Sequence, residues 1–285
     1  MDVAYEGFRV TRRKPLAVLT WAGLIAALYG VFLLIAGPWL VIMMEQAQML
    51  EGVTQPTPEQ VAPAAQASGV ILLYSLPLII LGAAVLSPAL VRSVLSPDDS
   101  KMAYLRLGKD EARVLGVKVM MAVTLSLVSL ISFTLVGVLL GLAAAVPLLA
   151  VVAFVAMIAA VALMVWLAMR FSLAVPATLA EGRIALDTSV QMTKGQVIRL
   201  MGVTVMGVLF SLLVSLLLSM ALSPLGLLTP MGEATDPVQR MGQMLNQGPL
   251  GLVVTAVMNG VVITAQFSLI YAPFAAVYQR LKAAA

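Results

Sequence analysis

Apolar residues in this chain run in long unbroken stretches instead of recurring at every third or fourth position, and the polar residues collect between them. The first stretch, Leu16 to Met44, covers 29 residues, against the ~20 that cross a hydrocarbon core of ~30 Å, so it tilts or protrudes. The second, Gly69 to Val91, contains Pro77 and Pro88, which remove backbone donors and predict a bent span of the kind membrane helices tolerate. Leu115 to Ala145 and Val146 to Met169 form one run of about 55 residues, too long for a single crossing, and Pro147 is the natural break of a helical hairpin. Leu200 to Ser223 and Leu252 to Phe274 follow. The pattern predicts an all-α polytopic membrane fold: a single domain over residues 1–285 with six transmembrane helices, at 16–44, 69–91, 115–145, 146–169, 200–223 and 252–274.

Composition agrees with that pattern. With 61% apolar and 11% charged residues, the chain cannot clothe a water-soluble globule. It has no cysteine and no histidine, which removes disulfides, thiol nucleophiles and the usual zinc sites. The basic cluster Arg12, Arg13, Lys14 before the first span imitates a signal peptide, but the run is too long and lacks a small-x-small cleavage site, so an uncleaved anchor is expected.

The net charge of +4 informs through its placement and gives no sign of nucleic-acid binding. With the N-terminus inside, 16 of the 17 Lys and Arg fall in the N-terminal tail, in and just after the 2–3 loop, in the 4–5 loop and in the C-terminal tail; only Arg240 lies outside. Basic residues near span ends stay in the cytoplasm, so both termini are expected there. Trp21, Trp39, Trp166, Tyr271 and Tyr278 fall near span ends, where amphipathic rings favour the headgroup layer.

The segment Glu45 to Ser68, with three glutamates, three prolines and no basic residue, reads as a flexible or partly helical external loop. A short external helix is expected to start at Asp236-Pro237 and run over Val238 to Leu245. On the inner side, Ser96-Pro97-Asp98-Asp99 is a helix-start pattern, Gly108 a stop, and Lys109-Asp110-Glu111 the opening of the helix that becomes span 3. Between Arg170 and Arg199 the chain bends at Pro176, reaches Glu181-Gly182, and enters an amphipathic piece, Ile184 to Lys194, closed by Gly195. These pieces predict short interfacial helices on the cytoplasmic membrane surface.

Arg170, Pro176, Glu181, Gly182, Ala185, Ser189, Thr193, Lys194 and Gly195, followed by a new span, resemble the YciC-like bacterial membrane proteins and the related membrane domains attached to some glycerophosphodiester phosphodiesterases. Tyr104-Leu105-Arg106-Leu107-Gly108, followed by Glu111 and Arg113, looks like a companion motif. The resemblance implies a bacterial inner-membrane location. It carries no hydrolase, since that activity resides in a separate soluble barrel with histidines.

Within the spans the informative groups are few. No Asp, Glu, Lys or Arg is expected mid-span, which disfavours an energised carrier. Thr255, Asn259 and Gln266 occur in span 6, and the seven-residue step from Asn259 to Gln266 places both amides on nearly the same face. That face either lines a polar cavity or bonds to a neighbouring helix. Gly207, Ser211, Ser215 and Ser219 form a small-residue packing seam in span 5, continued by Ser223, with a shorter seam at Gly137 and Gly141. The chain lacks a Ser-His pair, an HExxH motif, a Walker loop and paired intramembrane aspartates, so no enzymatic activity and no cofactor are expected.

The expected working surface is cytoplasmic, with Arg106, Glu111, Arg113, Arg170, Glu181, Arg183 and Lys194 as its candidate residues. Its expected partners are anionic membrane lipids, together with a partner membrane protein or a second copy of the chain. The expected role is accessory, scaffolding or envelope and lipid maintenance. The alternative is a passive or lipid-directed transporter with a cavity beside Asn259 and Gln266.

Overall fold

A computed structural model describes residues 2–51, 53, 57–96, 101–106, 108–143, 145–226, 245 and 248–284. A 3₁₀ turn, Asp2–Tyr5, leads into α1 (Glu6–Arg13), α2 (Pro15–Met49) and α3 (Pro58–Leu95). A second 3₁₀ turn, Lys101–Tyr104, precedes α4 (Lys109–Ala143), α5 (Leu148–Phe171), α6 (Ala174–Glu181), α7 (Leu186–Met192), α8 (Val197–Gly226) and α9 (Gly248–Ala284). No strand occurs among the described residues. Six helices, α2, α3, α4, α5, α8 and α9, are long and apolar enough to cross a membrane. The chain is a multi-pass membrane protein.

The helices outrun the apolar stretches. α2 continues to Met49, and α3 begins at Pro58 behind a capping box: the Gln60 amide donates to Thr57 Oγ1 at 3.4 Å, and the Thr57 amide donates to Gln60 Oε1 at 2.9 Å. The stretch expected as an external loop from Glu45 to Ser68 is therefore mostly helix, because Pro58 suits a first helical turn and Ala, Gln and Glu propagate one. α3 runs unbroken through Pro63, Pro77 and Pro88. The α4–α5 hairpin turns at Pro147, which caps α5. The expected helix starts at Ser96-Pro97-Asp98-Asp99 and Asp236-Pro237 fall outside the described residues, as do Arg240 and Leu107.

The centre of the bundle is α9, which packs on α2, α8, α1 and α3, and α2 also lies against α3. Small residues set the α2–α9 distance: a Cβ on Gly260 would stand 2.6 Å from the Ala22 carbonyl oxygen and 2.8 Å from the Ala26 methyl. The N-terminal segment is no free tail. A Cβ on Gly7 of α1 would meet the Leu269 backbone at 2.6 Å, while Tyr5 and Phe8 pack on Phe210 of α8 with ring centroids 5.3 and 5.5 Å apart. In the expected seam of α8, Gly207 and Ser211 are buried, and a Cβ on Gly207 would stand 3.2 Å from the Leu269 carbonyl. Ser215 is half-buried and Ser219 exposed. Gly137 and Gly141 have nothing within 4 Å, so that pair makes no close helix approach within the chain.

Candidate functional site

Polar side chains concentrate at the end of the bundle where α2 begins and α3 and α9 finish, shown by Lys14 donating to the Ser93 carbonyl (3.0 Å) and Gln279 to the Val94 carbonyl (3.2 Å). At this basic end the turn Lys101–Tyr104 is left-handed, with φ of 49° at Met102, 54° at Ala103 and 64° at Tyr104. Such backbone costs roughly 1–2 kcal/mol per non-glycine residue, so its neighbours must fix it. Trp21 donates its indole N–H to the Ala103 carbonyl (2.9 Å), Arg92 donates to the Tyr104 carbonyl (3.4 Å), and Lys14 bonds to the Tyr104 hydroxyl. Trp21 and Tyr104 are each 1% exposed. Trp21, expected in the headgroup belt, is thus a core residue, because its N–H finds a backbone partner inside the protein.

Arg92, at the end of α3, ties this turn to the start of α4. Its guanidinium lies 2.6 Å from Glu111 and 3.4 Å from Asp110, and Asp110 also accepts from Arg113 at 2.8 Å. Glu111 is buried at 6% exposure, so it belongs to an internal ion pair and not to the interaction surface where its acidity suggested it. Arg170 is half-buried: it donates to the Val190 carbonyl (2.9 Å), lies 5.0 Å from the centroid of the exposed Trp166 ring, and its own carbonyl accepts from Ser189 (2.8 Å). The motif positions Ala185, Ser189 and Thr193 are fully buried along one stripe of α7 against this helix end. Their small size is a packing requirement.

α6 does not lie on the surface. Ala174, Pro176, Ala177 and Thr178 are buried, and the helix packs beneath α3, α4 and α9. It stops at Gly182, whose φ of +64° suits glycine and whose N–H donates to the Thr178 carbonyl at 3.0 Å. Gly182 comes close to the Arg113 guanidinium, so the two segments that resemble the bacterial family meet in space. Beyond it Arg183 is exposed, at 2.8 Å from Glu181 and 3.1 Å from Asp187. The hydrogen bond from Arg183 holds the Asp187 carboxyl below its ordinary range, and the same bond raises the Arg183 guanidinium. Lys194 is exposed past the end of α7.

These elements enclose an open cavity of about 600 Å³ between the ends of α3, α6 and α9 and the start of α4. Arg92, Arg106 and Lys282 line it with Asp110, Tyr278 and Gln279. Arg92 is already paired with Glu111 and Asp110, and Arg106 and Lys282 add further positive charge to the lining, which suits an anion.

A second cavity of about 420 Å³ lies at membrane depth between α2, α3 and α9. Tyr29 and Phe32 of α2, Leu78 and Gly82 of α3, and Phe267 and Tyr271 of α9 line it, with Lys118 of α4. Lys118, read from the sequence as lying just after the 2–3 loop where span 3 begins, stands in the third turn of α4. The Lys-Asp-Glu opening after Gly108 carried that signal, since it starts the helix nine residues earlier. Thr255 is buried, Asn259 donates to the Thr255 carbonyl (2.9 Å) within its own helix, and Gln266 is half-buried; none of the three lines either cavity.

Comparison with family models, with curated proteins and with solved structures returned no match.

Proposed function

We propose that the chain is a non-enzymatic protein of the bacterial inner membrane, of the YciC-like type, with its basic end in the cytoplasm, where it gathers anionic lipid headgroups in an envelope-maintenance role. The observation that carries this reading is the cavity lined by Arg106 and Lys282 beside the Arg92–Asp110 pair. The cavity lies at the ends of α3, α6 and α9, and each basic residue near an anionic leaflet contributes roughly 1 kcal/mol. The charge distribution of the sequence supports the orientation, and the absence of histidine and cysteine supports a role without covalent chemistry. Transport along Asn259 and Gln266 receives no support from their placement.

The test is native mass spectrometry of the full chain released from nanodiscs of mixed phosphatidylethanolamine and phosphatidylglycerol. The wild type should retain phosphatidylglycerol preferentially, and Arg106→Gln with Lys282→Gln should reduce that preference by about tenfold or more, the equivalent of at least ~1.4 kcal/mol. Equal retention of both lipids by the wild type would refute the reading. A stoichiometric protein partner at this end, displaced by the same substitutions, would move the role from lipid gathering to an accessory subunit.

A further inference from the structure

The geometry points to a second site, independent of the headgroup cavity: the groove at Lys118 holds a single acyl chain whose acidic headgroup pairs with the Lys118 ammonium. Lys118 lies about 13 Å along α4 from Lys109, and its hydrogen-bond partner Ser87 about 12 Å back from the end of α3, by the 1.5 Å rise per residue. Both stand about 7–8 Å deeper than Arg92 and Arg113, five residues nearer the basic end on the same two helices. A cation below the headgroup layer is costly and marks a site by default. Its Nζ donates to Ser87 Oγ at 2.6 Å, and the Tyr271 ring centroid is 5.9 Å away. No described residue forms a salt bridge with it. An ammonium has three donors, and one is used here.

The rest of the groove is apolar and leads away from that charge. Gly82, Leu78 and Ser75 follow one another along α3 toward the far side of the membrane, Phe32 lies beyond Tyr29 on α2, and Ile263 lies beyond Phe267 and Tyr271 on α9. The path is roughly 12–18 Å long by helical rise. The cavity's 420 Å³ holds about fourteen groups the size of a water molecule at ~30 Å³ each, which is one acyl chain and not two. α3 and α9 contact each other less extensively than either contacts α2, and the cavity is not enclosed, so a chain can enter sideways from the bilayer. Charge at one end and a one-chain apolar channel behind it together specify a fatty-acid-like amphiphile.

The full chain in phosphatidylcholine nanodiscs would be titrated with hexadecanoate, hexadecanol and hexadecyltrimethylammonium, with bound stoichiometry read by native mass spectrometry. Hexadecanoate should bind one to one and at least tenfold more tightly than the alcohol, with the ammonium amphiphile excluded. Lys118→Met should abolish the preference for the acid, Lys118→Arg should keep it, and Ala83→Phe, which fills the groove wall, should block both acid and alcohol. Arg106→Gln with Lys282→Gln should leave binding unchanged, which separates this site from the headgroup cavity. If acid and alcohol bind equally to the wild type, or Lys118→Met binds hexadecanoate like the wild type with unchanged thermal stability, Lys118 is a packing residue and the assignment fails.

Discussion

Gly260 offers the sharpest test of how the bundle is held. α9 lies on α2 so closely that a methyl group added at Gly260 would stand 2.6 Å from the Ala22 oxygen and 2.8 Å from the Ala26 side chain. Ordinary contact needs about 3.5–4.0 Å. Gly260→Ala must therefore push the two helices apart by close to an ångström along their shared face or distort one of them. Overpacking of this size costs typically 1–3 kcal/mol. The same substitution at Gly141, where nothing lies within 4 Å, removes only the helix penalty of glycine and should stabilise by roughly 0.5–1 kcal/mol. The pair thus predicts a difference of about 1.5–4 kcal/mol between two chemically identical changes. Reversible unfolding of both variants in mixed micelles, followed by circular dichroism, measures it. If Gly260→Ala is as stable as Gly141→Ala, the α2–α9 contact is not the close one described.

Two further outcomes follow from the basic end. Arg92→Met and Glu111→Leu should each destabilise by about 3 kcal/mol, because each leaves a mostly buried charge without its main partner, whereas the double variant should recover most of that loss; additive losses in the cycle would dismiss the pair as the α3–α4 clasp. At Asp187 the carboxyl is depressed in the folded chain, so its contribution is present above the usual carboxylate range and disappears as pH falls through the depressed value. The wild type and Asp187→Asn should therefore differ slightly in melting temperature at neutral pH and converge in acid, and a gap that widens on acidification would reverse the assigned sign.

The six crossings were legible because a hydrocarbon core demands long apolar runs whatever the packing, and Pro147 marked the only break in the longest of them. Helix ends were not, since α2 and α3 continue into polar sequence where nothing but capping limits them, as Thr57 and Gln60 illustrate. Glycine roles were misplaced for a physical reason: spacing identifies residues that permit close approach, but only the partner's position decides whether approach occurs. Gly137 and Gly141 had the spacing and no neighbour, Gly7 had a neighbour and no pattern, and Gly260, within the four-residue series Ala256, Gly260, Thr264, Ser268 and Ala272, had both. Within the basic end, the two motif segments announced that something converged there. Their chemistry divided differently from expectation, with Glu111 turned inward, Arg170 half-buried on the Val190 carbonyl, and Arg92, Lys282 and Tyr278 completing the cavity. Lys118 escaped because, three residues into the apolar run from Leu115, it was counted with the loop cations, and only the packing of α2, α3 and α9 places a groove beside it.

The first span makes its most extensive contact with the sixth, and α1 rests on the sixth span as well. During synthesis α2 must therefore wait in the bilayer through the insertion of four further helices before its small-residue face, Ala22 and Ala26, meets Gly260. Until then that face is open to other helices of the membrane, and contacts so distant in sequence are slow to form. Truncation before α9 should leave the α2–α3 cluster around Trp21 and Leu90 in place but strip the partner of α1, α2 and α8, making the last crossing the step that closes the bundle.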